Sequence, residues 1–408
     1  MPAQNHRNVF MNANSQTLPI GSVTESDVPA ARATSLPWYC YAVVLSAACV
    51  PIGVLWDISW HLTIGRDSFW TPAHMMIYLG GTLPGCICGW LVLKSTFWPA
   101  PGEQAATVRL WGFRGPIGAW VTIWGSFVML LSAPFDDWWH NAYGLDVQIL
   151  SPPHTILALG MYAVAIGALI FVVSWQNRSP AGWRSAASLL FLFACGVLVT
   201  KVTIFVTEFT YPNHQHGGLF YMVACAVFPL YLVVAGRASH LRWAATGASL
   251  SYVLIVLTMV WILPHFRAQP KLAPIYNPLD HMAPPPFPFL LIVPAFGIDL
   301  VMRLFGQRRG FWRDTGLSLL LGIVFFALLL AVQWPFSSFL LSPASRNAFF
   351  AGNAMWGYSE TVGDWCAQFW KLDTDPFTWK AALLAILFGS VQSRIALWFG
   401  NWLSDVKR

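Results

Sequence analysis

Two segments of this chain carry the same ordered set of metal-ligating residue types. Asp57-Ile-Ser-Trp-His61 is followed by Gly65, Asp67 and Pro72-Ala-His74, and Asp136-Asp-Trp-Trp-His140 by Gly144, Asp146 and Pro152-Pro-His154. Residues four apart share a helix face, so Asp57 with His61, and Asp136 with His140, would each aim a carboxylate and an imidazole at one point. His74 and His154 would add a second imidazole from the start of the next apolar run. Two imidazoles and one carboxylate suit copper, zinc or ferrous iron. Asp67 and Asp146 are expected to accept from a ligating histidine's other ring nitrogen or to cap the following helix, with direct ligation as a further role. His214-Gln-His216 adds two more candidate ligands in a Pro- and Gly-flanked turn. A duplicated structural turn would copy the same residues without any metal, but six residues repeated in one order favour a site.

The chemistry needs neutral imidazoles and a compensated negative charge. A helix N-terminus disfavours a protonated histidine, which suits His74 and His154 if they open helices. A charged aspartate near hydrocarbon is costly, and a divalent cation offsets that cost well.

The elements that must position these groups are membrane spans. The chain has 408 residues, 56% hydrophobic and only 10% charged, a composition whose solvent is a bilayer. Apolar runs long enough to cross about 30 Å of hydrocarbon lie near 38–60, 73–96, 115–139, 153–175, 183–208, 216–236, 243–264, 287–306, 314–335 and 378–400. The expected fold is all-α, a polytopic bundle of about ten spans in five hairpins. Within a bundle at 37–400, segments 37–96 and 115–175 form the repeated metal-motif hairpins, 183–306 two further hairpins, and 314–400 a last one. Residues 1–36 and 401–408 are expected as tails, the first flexible. The long connection 336–377, with Trp356, Tyr358, Trp365 and Trp370, is expected along the membrane interface. Gly65 and Gly144 each follow their histidine by four residues, where a left-handed glycine would end a helix. Pro72 and Pro152 then suit the first turn of the next.

Of the 23 Lys and Arg, 15 fall in or beside the tails and the even-to-odd connections, whereas 11 of the 17 acidic residues and eight of the ten histidines fall at the other side. The positive-inside rule therefore predicts cytoplasmic termini and outer-facing histidines, in a bacterial inner membrane. The net charge of +6 is spread singly over short loops, as topology alone produces, and is no nucleic-acid signal. Seven scattered cysteines form no CxxC pair and read as packing residues. Lys201, seven residues before Glu208, is expected to pair with it inside the membrane.

The spacing Asp57-x3-His61-x12-His74 is similar to the Asp, His, His pattern in the membrane-embedded C subunit of the copper monooxygenases of methane and ammonia. The second copy, Asp136-x3-His140-x13-His154, is one residue longer. The resemblance covers under a tenth of the chain, and it departs from that subunit in span number and in being tandem. The surrounding Trp-rich segments look more like those of an uncharacterised family of bacterial multi-span proteins. If it holds, the resemblance implies copper on Asp57, His61 and His74, and on Asp136, His140 and His154. The expected function is a copper-dependent membrane oxidoreductase, or a subunit of one, with the bilayer and a periplasmic copper or electron-transfer protein as partners. A copper permease or chaperone, and an accessory subunit without chemistry, are the alternatives. Haem is disfavoured because its ligands would sit within helices at two depths.

Overall fold

A computed structural model describes residues 36–101, 103–144, 151–179, 181–306, 308–352, 354–359 and 372–408, with the side chains of His140 and of 181–184 excepted. The expected N-terminal tail, Asp146, Trp365 and Trp370 therefore lie outside the described residues. What is described is mainly helical: α1 (Trp38–Thr63), α2 (Pro72–Phe97), α3 (Ile117–Tyr143), α4 (Pro152–Arg178), α5 (Ala181–Phe205), α6 (Gly218–Ala238), α7 (Ala244–Ile262), α8 (Ile292–Phe305), α9 (Phe311–Leu340) and α10 (Trp379–Asp405). The strands β1 (Val108–Leu110) and β2 (Phe113–Gly115) make a small hairpin between α2 and α3. Among the described residues, nine helices are long and apolar enough to cross a membrane. Large apolar side chains such as Leu45, Leu130, Leu254, Leu319 and Leu387 are exposed on the helices, as expected where the surrounding solvent is lipid.

The eighth apolar run departs from the expected full helix. Only 14 of its residues, α8, are helical, because Pro284-Pro-Pro286 and Pro288 have no N–H to give a helix and hold the preceding chain extended. Side chains satisfy the freed backbone: Phe289 N–H donates to the Tyr252 hydroxyl at 3.1 Å and Leu290 N–H to Gln333 Oε1 at 3.0 Å. Both acceptor residues are fully buried, which is the condition under which irregular backbone survives at membrane depth. Asp299, inside α8, caps the start of α7, accepting from Ala245 N–H at 3.0 Å and Thr246 N–H at 2.8 Å.

Small residues set the spacing of the first four helices. A Cβ on Gly80 of α2 would lie 2.8 Å from Val50 N and 3.0 Å from Ser46 O of α1; one on Gly160 of α4 would lie 2.8 Å from Met129 N and 2.9 Å from Gly125 O of α3. Close backbone approach of this kind is how helices associate in lipid, where burying apolar surface gives no driving force. At the opposite end of the bundle from His61 and His74, Arg237 joins α6, α9 and α10: its Nε donates to Asn401 Oδ1 at 2.6 Å and its Nη2 lies 3.6 Å from Asp314 Oδ1.

Two further expectations are revised. Lys201 is buried, but its ammonium donates to the Met161 carbonyl at 2.7 Å rather than pairing with Glu208. Glu208 sits beyond α5, in a 3-10 turn, and so has left the helix face that Lys201 occupies. Part of the long connection packs into the bundle. Ala351, Met355, Trp356 and Tyr358 are buried, and the Tyr358 N–H donates to Leu62 O at the end of α1 at 3.0 Å.

Candidate metal centre

The end of α1 is built as the glycine spacing predicts. Ile64 and Gly65 N–H both donate to Trp60 O, at 2.7 and 3.1 Å, and Gly65 leaves the helix at φ +82°, a region costly for any residue with a Cβ. Tyr358 closes over it, with its hydroxyl where a Gly65 side chain would begin. The Thr63 hydroxyl accepts from Ala283 N–H at 3.0 Å, and Ile64 O from Lys271 N–H at 2.9 Å. Trp60 Nε1 donates to Arg66 O at 2.9 Å. The turn at 64–71 is thus held from three sides. Pro72 opens α2, placing His74 in its first turn.

Four donor groups meet there. His74 Nε2 lies 3.1 Å from Asp57 Oδ1 and 3.4 Å from Asp67 Oδ2; His61 Nε2 lies 3.4 Å from Asp67 Oδ2 and 3.9 Å from Asp57 Oδ2. Donors bonded at 2.0–2.1 Å to a tetrahedral ion stand ~3.3 Å apart, and these separations bracket that value. Asp57, Asp67 and His74 form the tightest subset, with ligand atoms all within 4.8 Å of one another. Asp67 therefore converges on the same point as Asp57, and it does not cap α2, whose N-cap is Thr71.

The tautomer of His74 follows from its surroundings. Its Nδ1 lies 2.8 Å from Ser68 O, and a carbonyl oxygen only accepts, so Nδ1 carries the proton. Nε2 then faces two carboxylates, and a cation must lie between them: a proton or a metal ion. Asp57 Oδ1 is buried, 3.1 Å from His74 Nε2 and without a hydrogen-bond donor of its own, which an ion seated among the donors would remedy. A backbone carbonyl that fixes the ring through its other nitrogen is the usual support of a ligating histidine. Asp67, in the turn, is held below the usual carboxylate range chiefly by its hydrogen bond to His61. Exposure separates the donors: the side chains of His74 and Asp57 are 20% and 21% exposed, that of His61 49%. The imidazole of His61 is thus the open edge of the group.

The second copy shares part of this arrangement. Gly144 ends α3 at φ +90°, Pro152 opens α4, and the Ser151 hydroxyl caps it by accepting from His154 N–H at 3.3 Å. His154 Nε2 lies 3.5 Å from Asp136 Oδ1, the same pair of atoms that approach in the first copy. The His140 side chain and Asp146 lie outside the described residues. His214 and His216 engage elsewhere: His214 Nδ1 meets Asp373 Oδ2 at 2.7 Å, and His216 Nε2 meets the Ser338 hydroxyl at 2.9 Å. Asp373 is held below its ordinary range by His214, whereas burial pushes the His216 imidazole down. These two histidines fasten the third hairpin to the segment before α10 and to α9.

No family model, curated protein or solved structure matches this chain. The chemistry of the site must therefore be argued from its own donors. Spacing alone left the role of Asp67 open and did not point to Ser68 at all. The signal for Asp67 was its place in the repeat, at Asp146; Ser68 acts through its backbone and leaves no trace in residue type.

Proposed function

We propose that this chain is an integral membrane metalloprotein whose first centre holds one divalent transition-metal ion on Asp57, His61, Asp67 and His74. The observation that carries the reading is the His74 ring, with Nδ1 committed to Ser68 O and Nε2 turned to two carboxylates. Two carboxylates balance the charge of a divalent ion, so the filled group would be neutral and cheap to hold at a membrane rim. Two imidazole nitrogens and two carboxylate oxygens are intermediate in softness, and among divalent first-row ions copper stands highest in affinity for such donors. Zinc and ferrous iron fit the same set.

The matching Asp136–His154 approach, the two left-handed glycines and the corresponding Gly80 and Gly160 crossings support reading the first two hairpins as an internal repeat. His140 would complete the second centre. The Arg-rich end of the bundle supports a cytoplasmic assignment for that end and for both termini, with the metal centres at the outer face of a bacterial inner membrane. In that setting the best-supported activity is copper-dependent redox chemistry, as in the copper monooxygenases that the motif resembles, because the exposed edge at His61 leaves room for an exchangeable ligand. The same edge supports a second reading, transfer of the ion to a soluble partner.

Electron paramagnetic resonance of the purified, copper(II)-loaded protein tests the reading. The expected spectrum carries couplings from two imidazole nitrogens in the first centre, reduced to one in His61→Ala. Cycles of reduction and reoxidation by oxygen that leave the metal bound would favour turnover over transfer. A spectrum of aqueous copper, unchanged in His74→Ala, would contradict the site.

A further inference from the structure

Beside the proposed metal centre, α2 and α3 part to form a cleft of about 620 Å³, within the range of about 300–1,000 Å³ typical of small-molecule sites. The two helices touch below it, where a Cβ on Gly85 would lie 2.6 Å from the Ser126 side chain. Met129 fills the next level, against Gly81. Above that, Pro134 lies inside α3, and Tyr78 and Thr82 face Leu130, Ala133 and Asp137 across the gap, with Leu157 of α4 behind.

This cleft is placed between the two repeated motifs. Tyr78 is one helical turn after His74, and their rings lie 6.2 Å apart. Leu157 is three residues after His154, and Asp137 adjoins Asp136. The phenol of Tyr78 is within electrostatic reach of Asp136, Asp57 and Asp67 together. The interior is apolar and its mouth is acidic.

We infer that this cleft binds an uncharged, hydroxyl-headed lipophile, with its apolar body against Met129, Ala133 and Leu157 and its hydroxyl at Tyr78 and Asp137. The walls offer carbon to a tail. The mouth offers a carboxylate, which accepts from a hydroxyl and repels an anionic head, and a phenol, which donates to the hydroxyl's oxygen. Asp137 makes this preference independent of metal occupancy, since it lines the cleft itself. The inference deepens the reading of the metal centre by naming the class of molecule that reaches it, and rests on that reading only for what the bound molecule meets.

The test uses the full chain in nanodiscs with two photoreactive probes of equal tail, a diazirine-bearing dodecanol and the matching dodecanoic acid. Labelled residues are mapped by mass spectrometry, and metal content is measured on the same samples. The alcohol is expected to label the Tyr78–Thr82 and Met129–Ala133 stretches, in competition with plain dodecanol, at least about tenfold above the acid. Ala133→Trp, and independently Thr82→Trp from the other wall, should abolish that labelling with metal content unchanged. Asp137→Asn should raise labelling by the acid and lower the alcohol's, so that the preference between the two probes shrinks. Equal labelling by both probes, or labelling indifferent to both tryptophans, would overturn the proposal and leave bilayer acyl chains as the occupant. Discrimination between the probes in a protein that holds no metal would sustain the cleft and reject the metal reading.

Discussion

His74 cannot ligate through Nδ1, because that nitrogen is spent on Ser68 O, so all the chemistry open to it runs through Nε2. Removing a residue that supplies a donor atom should cost at least as much as removing an orienting partner, which is about 10–100-fold in metal affinity. His74→Ala and Asp57→Asn are accordingly expected to lower the affinity of the first centre by more than about 100-fold, read by competition with a chelator. Asp67→Asn should fall in the same range, because its carboxylate converges on the same point as that of Asp57. The repeated Asp, His and His were legible from spacing because i,i+4 geometry fixes which side chains share a face. What spacing could not show was the fold of the 64–71 turn, which carries Asp67 back over α1 through contacts with residues some 200 and 300 positions away.

Gly65 and Gly144 give the repeat a test at the level of the turn. Both have positive φ, but Tyr358 fills the space beside Gly65, while among the described residues nothing lies within 4 Å of a Cβ on Gly144. Gly144→Ala should therefore cost chiefly backbone strain, about 1–2 kcal/mol, and Gly65→Ala that strain plus displacement of Tyr358, a larger drop in Tm in detergent. The third hairpin has its own pH dependence. Burial lowers the His216 pKa in the folded protein, so the unfolded chain takes up its proton first. Stability from this group is intact above the ordinary histidine pKa of about 6.5 and falls as pH drops below it. Thermal unfolding across that range should show this loss in wild type, and less of it in His216→Gln. Helix positions were legible here because apolar length defines a span. The broken eighth run was not, since its backbone is rescued by Tyr252 and Gln333, side chains remote in sequence.

At the scale of the whole molecule, Asp57, Asp67, His61 and His74 gather at one end of the bundle, and Arg237 and Arg309, paired with Asp314 and Asp405, lie at the other. Under the positive-inside rule, a cysteine placed at Ser68 should react with a membrane-impermeant maleimide applied to intact spheroplasts, and one at Arg109 only after lysis; the reverse pattern would invert the topology. The all-helical bundle was readable from composition, since only helices and closed barrels satisfy their backbones in lipid. The inward packing of Ala351, Met355, Trp356 and Tyr358 was not, because an aromatic-rich connection has the same composition whether it lies on a membrane or packs into a bundle. The most direct measurement of the central claim is the transition-metal content of protein purified without chelator. The account predicts at least one tightly held ion per chain, lost from the first centre when Asp57→Asn and His74→Ala are combined in a chain that still folds. Equal metal content in wild type and that double variant would contradict it.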